Sequence, residues 1–264
     1  MTITFYKYHG TGNDFILIDN RLETFPKTDL VYIEQLCNRR FGIGADGLIL
    51  LENDATADFK MVYFNSDGNE STMCGNGGRC LVAFAKKLGI INEMALFNAV
   101  DGKHNAHIAQ NGIVSLQMKD VNEIEIAPNY VFLNTGSPHY VTLVNDSLTH
   151  FQVKASGAAI RYSEQYKDGG TNVNFVNQIS ENHFRLRTYE RGVEDETLSC
   201  GTGATATAIA MNVIGKTNSN TIQLDVEGGK LKVVFDKDGS QFTNVNLIGP
   251  ASFVFNGSVS YNKN

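Results

Sequence analysis

Short segments of apolar residues, some alternating with polar residues and some continuous, recur along most of this chain, a pattern typical of β-strands. In the first half these segments are residues 2–8, 16–18, 48–51, 58–64, 95–99, 104–109 and 113–118. Residues 29–38 differ, because Leu30, Ile33 and Leu36 follow helical spacing. From about Lys119 the same kinds of segment return. The pattern therefore predicts many short strands and few helices.

Two glycine-rich segments interrupt the strands, and a cysteine precedes each of them. Cys74 is followed by Gly-Asn-Gly-Gly and Cys200 by Gly-Thr-Gly. Small and apolar residues at 79–88 and 204–214 predict a buried helix after each segment. Each cysteine is therefore expected at a helix N-terminus. There, unpaired N–H groups and the positive end of the helix dipole favour a thiolate and can hold a carboxylate.

The two cysteine segments belong to a longer internal repeat. Cys200 lies 126 positions after Cys74, and the same offset relates 170–174 to 44–48 and 226–228 to 100–102; Thr135-Gly136 lies 124 positions after Thr11-Gly12. Matches that keep their order and spacing indicate two homologous halves. We predict domains at 1–117 and 118–250, with the extreme C-terminus, about 251–264, packing back onto the first.

This organisation predicts an α+β fold of two pseudo-symmetric domains. In each, a curled, barrel-like mixed β-sheet would surround a central α-helix, and the active site would lie in the cleft between the domains. With 42% hydrophobic and 19% charged residues, the composition is that of a globular protein.

The charge and the cysteine content limit the partners of the protein. A net charge of −6 argues against nucleic-acid and anionic-membrane binding, which need clustered Lys and Arg. No apolar run approaches 18 residues and no signal-peptide pattern is present, so we expect a cytoplasmic protein. Four cysteines in 264 residues do not form a disulfide scaffold. Cys74 and Cys80 lack zinc-site spacing, and no metal is predicted.

Two matched thiols suit the inversion of a carbon next to a carboxylate. Removing a proton from one face and returning one to the other needs a base and an acid on opposite sides. One cysteine is then expected as the thiolate and the other as the thiol. The charge that develops on the carboxylate would be stabilised by N–H groups at both helix starts, those of Gly75, Asn76, Gly201 and Thr202. No lysine stands in an evident Schiff-base setting, so no pyridoxal cofactor is predicted.

Five motifs together resemble the diaminopimelate epimerase family, and the match runs nearly end to end. They are GTGNDF at 10–15, GIGADG at 42–47, FNSDGNESTMCGNGGRC at 64–80, GTNVNFV at 170–176 and YERGVEDETLSCGTGA at 189–204. The resemblance implies a cofactor-independent isomerase that interconverts LL- and meso-2,6-diaminopimelate in lysine and peptidoglycan precursor synthesis. It also implies a homodimer.

The resemblance assigns roles to individual residues. Cys74 matches the thiol that deprotonates the LL isomer and Cys200 the thiol that deprotonates the meso isomer. The distal amino acid end of the substrate is held by the residues that match Asn65, Asn174 and Arg191. Glu190 matches the group that faces the reacting ammonium, and Asn13 matches a residue of the substrate pocket. His139 matches a residue that supports Glu190 and Cys200. Three features depart from the commonest family pattern: Ser137 in place of Asn, Ser199 in place of Ala, and one extra residue between Arg191 and Cys200.

Other interpretations come from related and unrelated classes. A relative of the same architecture could act on proline or hydroxyproline, whereas phenazine-pathway isomerases lack the cysteine pair. A nucleotide-binding loop is disfavoured, because GNGG lacks both the Walker Lys-Ser/Thr and the GxGxxG register. A redox sensor in which the two thiols form a disulfide could coexist with catalysis.

Overall fold

The computed structural model describes residues 1–145 and 147–262, and the chain divides into two compact units. The N-terminal unit comprises Met1–Leu116 and the C-terminal segment from Pro250, and the second unit comprises Gln117–Gly249. Residues 263 and 264, the end of the predicted C-terminal segment, lie outside the described residues.

The N-terminal unit combines one mixed sheet with two helices. The strands are β1 (Thr2–Gly10), β2 (Asn13–Asp19), β3 (Gly47–Glu52), β4 (Phe59–Asn65), β5 (Met94–Ala99), β6 (Gly102–Ile108), β7 (Ile113–Gln117) and the C-terminal β17 (Ser252–Ser260). The helices are α1 (Leu30–Cys37) and α2 (Gly75–Lys87). The sheet order is β17-β1-β2-β3-β4-β5-β6-β7, with β2–β3 and β4–β5 parallel and the other neighbours antiparallel.

Both faces of this sheet are covered, which explains the continuous apolar runs of its central strands. Every residue of β3 is buried. Leu48 and Leu50 join the core cluster around α1, while Ile49 lies against Gly77 of α2. Because successive strand residues point to opposite faces, a strand covered on both sides is hydrophobic throughout.

The second unit repeats this architecture. Its strands are β8 (Ile124–Ile126), β9 (Val131–Asn134), β10 (Pro138–Leu143), β11 (Asn172–Ser180), β12 (His183–Glu190), β13 (Asp195–Thr197), β14 (Thr221–Val226), β15 (Gly229–Asp238) and β16 (Gln241–Pro250). Its helices are α3 (Val153–Arg161) and α4 (Gly201–Val213). The sheet order is β8-β9-β10-β11-β12-β14-β15-β16, and β13 pairs with β12 as a short hairpin.

The two sheets share one sequence of strand pairings. From β17 to β7 and from β8 to β16, the pairings run antiparallel, antiparallel, parallel, antiparallel, parallel, antiparallel, antiparallel. The predicted α+β class and its repetition are confirmed.

Each sheet curls around its second helix. Helix α2 contacts both β1 and β6, which are five strands apart, and α4 contacts strands from β9 to β15. A flat sheet would separate β1 from β6 by about 24 Å, more than one helix can span. Among the described residues, the terminal strands of each sheet do not pair with each other. The barrel-like expectation therefore takes the form of an open, curled sheet.

The predicted starts of the two long helices are wrong by three or four residues. Helices α2 and α4 begin at Gly75 and Gly201, immediately after the cysteines, so the glycines predicted as turns form the first helical turn. Glycine has poor helix propensity, but close packing against the sheet overrides it here. No described helix is long and apolar enough to cross a membrane.

Candidate active site

Cys74 is the N-cap residue of α2. Its backbone is extended, with φ −101° and ψ 126°, and its carbonyl accepts the N–H of Gly78 at 2.7 Å. The half-buried side chain does not cap the helix. The thiol is therefore free of the usual capping role and lies beside the positive end of the helix.

Asn13 connects Cys74 to a cluster of charges in the N-terminal unit. Its Oδ1 accepts from Cys74 Sγ at 3.6 Å and from Asn76 Nδ2 at 3.1 Å, while its Nδ2 donates to Asp46 Oδ2 at 2.7 Å. The Arg39 guanidinium holds Asp46 at 2.7 Å and also pairs with Asp14. Burial would raise the pKa of Asp14, but hydrogen bonds from Arg39 and Lys7 outweigh burial and lower it. These ion pairs fix the carboxylate that orients Asn13.

A tight turn brings Asn13 to this position. Thr11 and Gly12 both have positive φ, 50° and 88°, and join β1 to β2 as a two-residue hairpin loop. Asn13 is the first residue of β2 and pairs with Gly10 across the hairpin. The Gly-Thr-Gly-Asn sequence thus explains the placement of the Asn13 side chain.

Arg79 is fully buried at the start of α2 and has no carboxylate partner among the described residues. Its guanidinium donates to Asn76 Oδ1 at 2.9 Å and to the carbonyls of Gly75 and Pro250 at 3.3 and 3.4 Å. Burial lowers its pKa, and the thiols of Cys80 and Cys74 oppose that change. Arg79 therefore ties the helix start, through Asn76, to Asn13.

Cys200 occupies the equivalent N-cap position of α4, and its carbonyl accepts the N–H of Ala204 at 2.9 Å. The residue is 7% exposed. Its Sγ lies 3.4 Å from Thr202 Oγ1, which lies 3.2 Å from Ser137 Oγ. The sulfur thus ends a chain of hydroxyl groups.

His139 stands behind this hydroxyl chain and is fully buried. Its Nε2 lies 3.0 Å from Ser137 Oγ, and its Nδ1 lies 3.0 Å from Asn174 Nδ2. Burial, with a smaller contribution from the Arg191 charge, lowers the pKa of His139 from 6.5 to about 3. The imidazole is therefore neutral at physiological pH and reaches Cys200 only through Ser137 and Thr202.

Asn174 is buried completely, and its amide is committed to protein groups. Its Nδ2 donates to His139 and to the carbonyl of Tyr140 at 3.1 Å, while its Oδ1 accepts from Thr188 Oγ1 at 3.0 Å. This geometry favours a structural role, although sequence comparison suggested a ligand to the distal substrate end.

Glu190 and Arg191 lie at the end of β12. Glu190 Oε2 accepts from Thr197 Oγ1 at 2.9 Å. The exposed Arg191 guanidinium donates to the carbonyl of Gly169 at 2.7 Å and forms no ion pair within the described part of the chain. Its backbone N–H donates to Asn172 Oδ1 at 2.9 Å. Arg191 is thus held by its backbone while its charge faces solvent.

Asn65 ends β4 in the N-terminal unit, where its backbone closes a turn with Gly68 and Asn69. Its half-buried side-chain amide makes no hydrogen bond to another described residue. Its amide therefore keeps its donors and acceptor available for a ligand, as Arg191 keeps those N–H groups that do not bond to Gly169.

The remaining cysteines have different surroundings. Cys37 and Cys80 are buried, and burial raises the pKa of each thiol to about 12. Both are therefore protonated and inert at physiological pH.

Comparison with known proteins identifies the family of this chain. A sequence model described as diaminopimelate epimerase matches residues 5–126 and 131–254. The chain belongs to the diaminopimelate epimerase family. It is 66% identical to the diaminopimelate epimerase of Flavobacterium psychrophilum, over 96% of this chain and 99% of that protein. It is 41% identical to that of Chlorobaculum tepidum, over 95% and 99% of the two chains.

Solved structures share the fold at much lower identity. A phenazine biosynthesis protein of the PhzF family from Bacillus anthracis superposes with a TM-score of 0.77 at 13% identity, covering 99% of this chain and all of that one. A hydroxyproline epimerase from Agrobacterium vitis gives 0.70 at 13% identity, over 98% and 92%. At such identities the likeness concerns the fold alone, which this member of the diaminopimelate epimerase family shares with several other enzymes.

The sequence analysis missed several residues that orient side chains near the N-termini of α2 and α4. Asn172 orients Ser137 and the backbone of Arg191, and Asp46 orients Asn13. Arg79 carried a usable signal, because a charged residue in an otherwise apolar buried helix needs dedicated partners. The sequence held no comparable signal for Asn172. It lies two positions before Asn174 on the same face of β11, and nothing in the sequence distinguishes their roles.

Proposed function

We propose that this protein epimerises LL- and meso-2,6-diaminopimelate with Cys74 and Cys200 as its two bases and without a cofactor. The observation that carries the proposal is the repeated placement of one thiol as the N-cap of each long helix, at the same position in two sheets of identical strand order. Family membership supplies the substrate class.

The chemistry follows from the two thiols. The thiolate takes the α-hydrogen as a proton, which forms an S–H bond and leaves the electron pair of the broken C–H bond delocalised into the substrate carboxylate. The second thiol then donates its proton to the opposite face of that carbon. The two cysteines have exchanged protonation states at the end, so the same pair catalyses the reverse reaction.

The helix starts provide the groups that stabilise the intermediate. The first N–H groups of an α-helix have no acceptor within the helix, and neither cysteine side chain caps them. We propose that N–H groups of Gly75, Asn76, Gly201 and Thr202 bind the carboxylate as its charge grows.

The distal end of the substrate requires a second set of groups. Arg191 and Asn65 have uncommitted side-chain donors among the described residues, and an Arg fork suits a carboxylate. We propose that they hold the distal amino acid end, with Glu190 facing the reacting ammonium and Asn13 lining the pocket. Asn174 is assigned a supporting role because its amide is already occupied.

Incubation of purified protein with LL-diaminopimelate, followed by chiral chromatography, tests the function. We expect meso product with wild type, and a loss of about 10²- to 10⁴-fold in Cys74→Ala and in Cys200→Ala. Cys37→Ala is the matched control and is expected to retain activity, because that thiol is buried and protonated. Wild-type turnover by either active-site variant, or turnover of trans-4-hydroxyproline in place of diaminopimelate, would refute the proposal.

We also propose that the enzyme is a cytoplasmic homodimer, as the family resemblance implies. Light scattering on the eluting protein is expected to give twice the mass of one chain. A mass of one chain across the working concentration range would exclude the dimer.

A further inference from the structure

The hydrogen bonds around the two thiols have opposite polarity. Each hydroxyl carries one hydrogen, and each amide orientation is fixed where it meets a group that can only donate or only accept. The direction of every bond can therefore be followed from the backbone outward to each sulfur.

On the Cys200 side, two asparagines set the direction. Asn174 Nδ2 faces the carbonyl of Tyr140, so it must also be the donor to His139 Nδ1. The neutral imidazole then carries its hydrogen on Nε2, which donates to Ser137 Oγ. Asn172 faces the carbonyl of Pro138 with its Nδ2 and the N–H of Arg191 with its Oδ1, so its Nδ2 also donates to Ser137 Oγ at 3.2 Å.

Ser137 passes this direction to the sulfur. Its oxygen accepts two hydrogen bonds, which use both acceptor positions, so its own hydrogen is directed to Thr202 Oγ1. Thr202 accepts that hydrogen and directs its own to Cys200 Sγ. Cys200 is therefore an acceptor, and a hydrogen bond to a charged acceptor favours the charged form.

On the Cys74 side, the direction is reversed. Asn13 Nδ2 faces the Asp46 carboxylate, which only accepts, and Arg79 donates to Asn76 Oδ1, which turns Asn76 Nδ2 toward Asn13. Both constraints point Asn13 Oδ1 at Cys74 Sγ, 3.6 Å away. An amide oxygen attracts an S–H group and repels a thiolate, so this contact favours the thiol.

We propose that in the substrate-free protein the Ser137–Thr202 hydroxyl pair holds Cys200 as the thiolate, while Asn13 holds Cys74 as the thiol. Ser137 is thereby a positioning residue of the second thiol. The catalytic meaning of this asymmetry rests on the proposed two-base function. The major resting form accepts the substrate isomer whose α-hydrogen faces Cys200, and inversion of that isomer converts the protein into the other protonation form. Proton exchange with solvent keeps the two forms in equilibrium, so the minor form accepts the opposite isomer.

Titratable groups lie on both sides, and the direct contacts decide between them. On the Cys200 side they are the neutral His139, the Arg191 charge that acts on it, and Glu190, which bonds to Thr197. On the Cys74 side they are Arg79 and the protonated Cys80 on α2 and the Asn13-linked cluster of Lys7, Asp14, Arg39 and Asp46. The Arg79 charge opposes the effect of Asn13 at Cys74. Its hydrogen bonds to Asn76 and to backbone carbonyls, however, commit the guanidinium to the network that turns Asn13 Oδ1 toward the sulfur.

Site-resolved alkylation tests the proposal. Substrate-free protein is treated with iodoacetamide across a range of pH, and peptides containing Cys74 and Cys200 are quantified separately by mass spectrometry. The pH midpoint of each rate reports thiol ionisation independently of access. We expect the Cys200 midpoint to lie at least about one pH unit below that of Cys74, and Ser137→Ala to raise the Cys200 midpoint by about one unit.

The controls separate ionisation from general disruption. Ser137→Thr retains the hydroxyl and is expected to restore the low midpoint. Thr205→Val removes a hydroxyl that, among the described residues, donates to the Gly201 carbonyl on the same helix and to no other group, and is expected to leave the midpoint unchanged. Equal midpoints in wild type, a lower midpoint for Cys74, or no shift in folded Ser137→Ala would overturn the proposal. The assay contains no substrate, so its result is independent of the proposed function. The predicted order of midpoints can be absent in a protein that epimerises diaminopimelate, and it can be present in a protein that does not.

Discussion

His139 illustrates how a single buried side chain acts on a reactive group that it does not touch. Its ring lies between Asn174 and Ser137, and burial keeps it neutral. The residue therefore contributes a fixed hydrogen-bond direction rather than a titrating charge. It is the structural support of the hydroxyl chain that ends at Cys200.

The buried His139 ring makes folding stability depend on pH. In the unfolded chain the ring binds a proton near pH 6.5, but in the folded protein only near pH 3. The contribution of His139 to the free energy of unfolding is fully present above about pH 6.5. It is lost as the pH falls toward 3, by at most about 1.4 kcal/mol per pH unit. Urea unfolding at about pH 7 and about pH 5 should show a fall in the free energy of unfolding that is about 2 kcal/mol smaller in His139→Gln than in wild type.

The exposed His150 provides the comparison for this measurement. His150→Gln should keep the wild-type difference between the two pH values. If His139→Gln kept it as well, the folded ring would titrate normally and the assigned hydrogen-bond direction would be wrong.

Individual residues were predictable from sequence only where their role is local. The helix-start positions of Cys74 and Cys200 were predictable because a glycine-rich segment and then an apolar segment follow each of them. Asn172 and Ser137 act through partners on neighbouring strands, so nothing adjacent in the sequence revealed their roles. The resemblance assigns Asn174 to the distal substrate end, and this stays a prediction; the sequence did not reveal that its amide is buried and bonded to His139, Tyr140 and Thr188.

At the scale of elements, α2 and α4 are equivalent helices of the two repeated units. Both are 13 residues long, both begin directly after a cysteine, and both bury nearly every residue of their first two turns. Their glycines allow the helix to approach the sheet closely, and this packing requirement explains why the helices begin earlier than propensity predicts.

Equivalent glycines of the two helices should respond differently to alanine. A Cβ at Gly203 would lie 2.5 Å from Asn174 Oδ1 and 3.4 Å from Cys200 Sγ, whereas a Cβ at Gly77 would meet the flexible methyl end of Ile49 at 2.9 Å. Gly203→Ala should therefore lower the free energy of unfolding by about 1–3 kcal/mol and reduce kcat. Gly77→Ala should change stability by less than about 1 kcal/mol, because improved helix propensity offsets the contact.

Chemical denaturation of the two variants and of Gly169→Ala checks this difference. Gly169 has open space around it and serves as the neutral control. Equal stability of Gly203→Ala and Gly77→Ala would show that the Asn174 amide shifts freely, contrary to its three hydrogen bonds.

At the scale of the whole molecule, an offset of 126 residues relates the second unit to the first. Helices α2 and α4 keep this offset at both ends, and the sheets keep the same order of pairings. The duplication was predictable because insertions are few. Helix α3 was not, because it is short and contains Gly157, whose place is set by close contact with Tyr189 on another element. Strand order was also beyond the sequence, because it depends on long-range pairing.

Each of the two units has one cysteine as the N-cap residue of its long helix, so the two-base reaction is the central proposal for the molecule. The claim requires that the sulfurs of Cys74 and Cys200 reach opposite faces of one α-carbon. It further requires that the proton added to the product differ from the proton removed from the substrate, because each sulfur handles only one of them.

Epimerisation of LL-diaminopimelate in heavy water tests this claim most directly. We expect the first meso product to carry one deuterium at the inverted α-carbon and none at the distal one, while the remaining LL substrate stays unlabelled early in the reaction. Deuterium that entered substrate and product at equal rates would instead indicate a single base serving both faces, and would contradict the account.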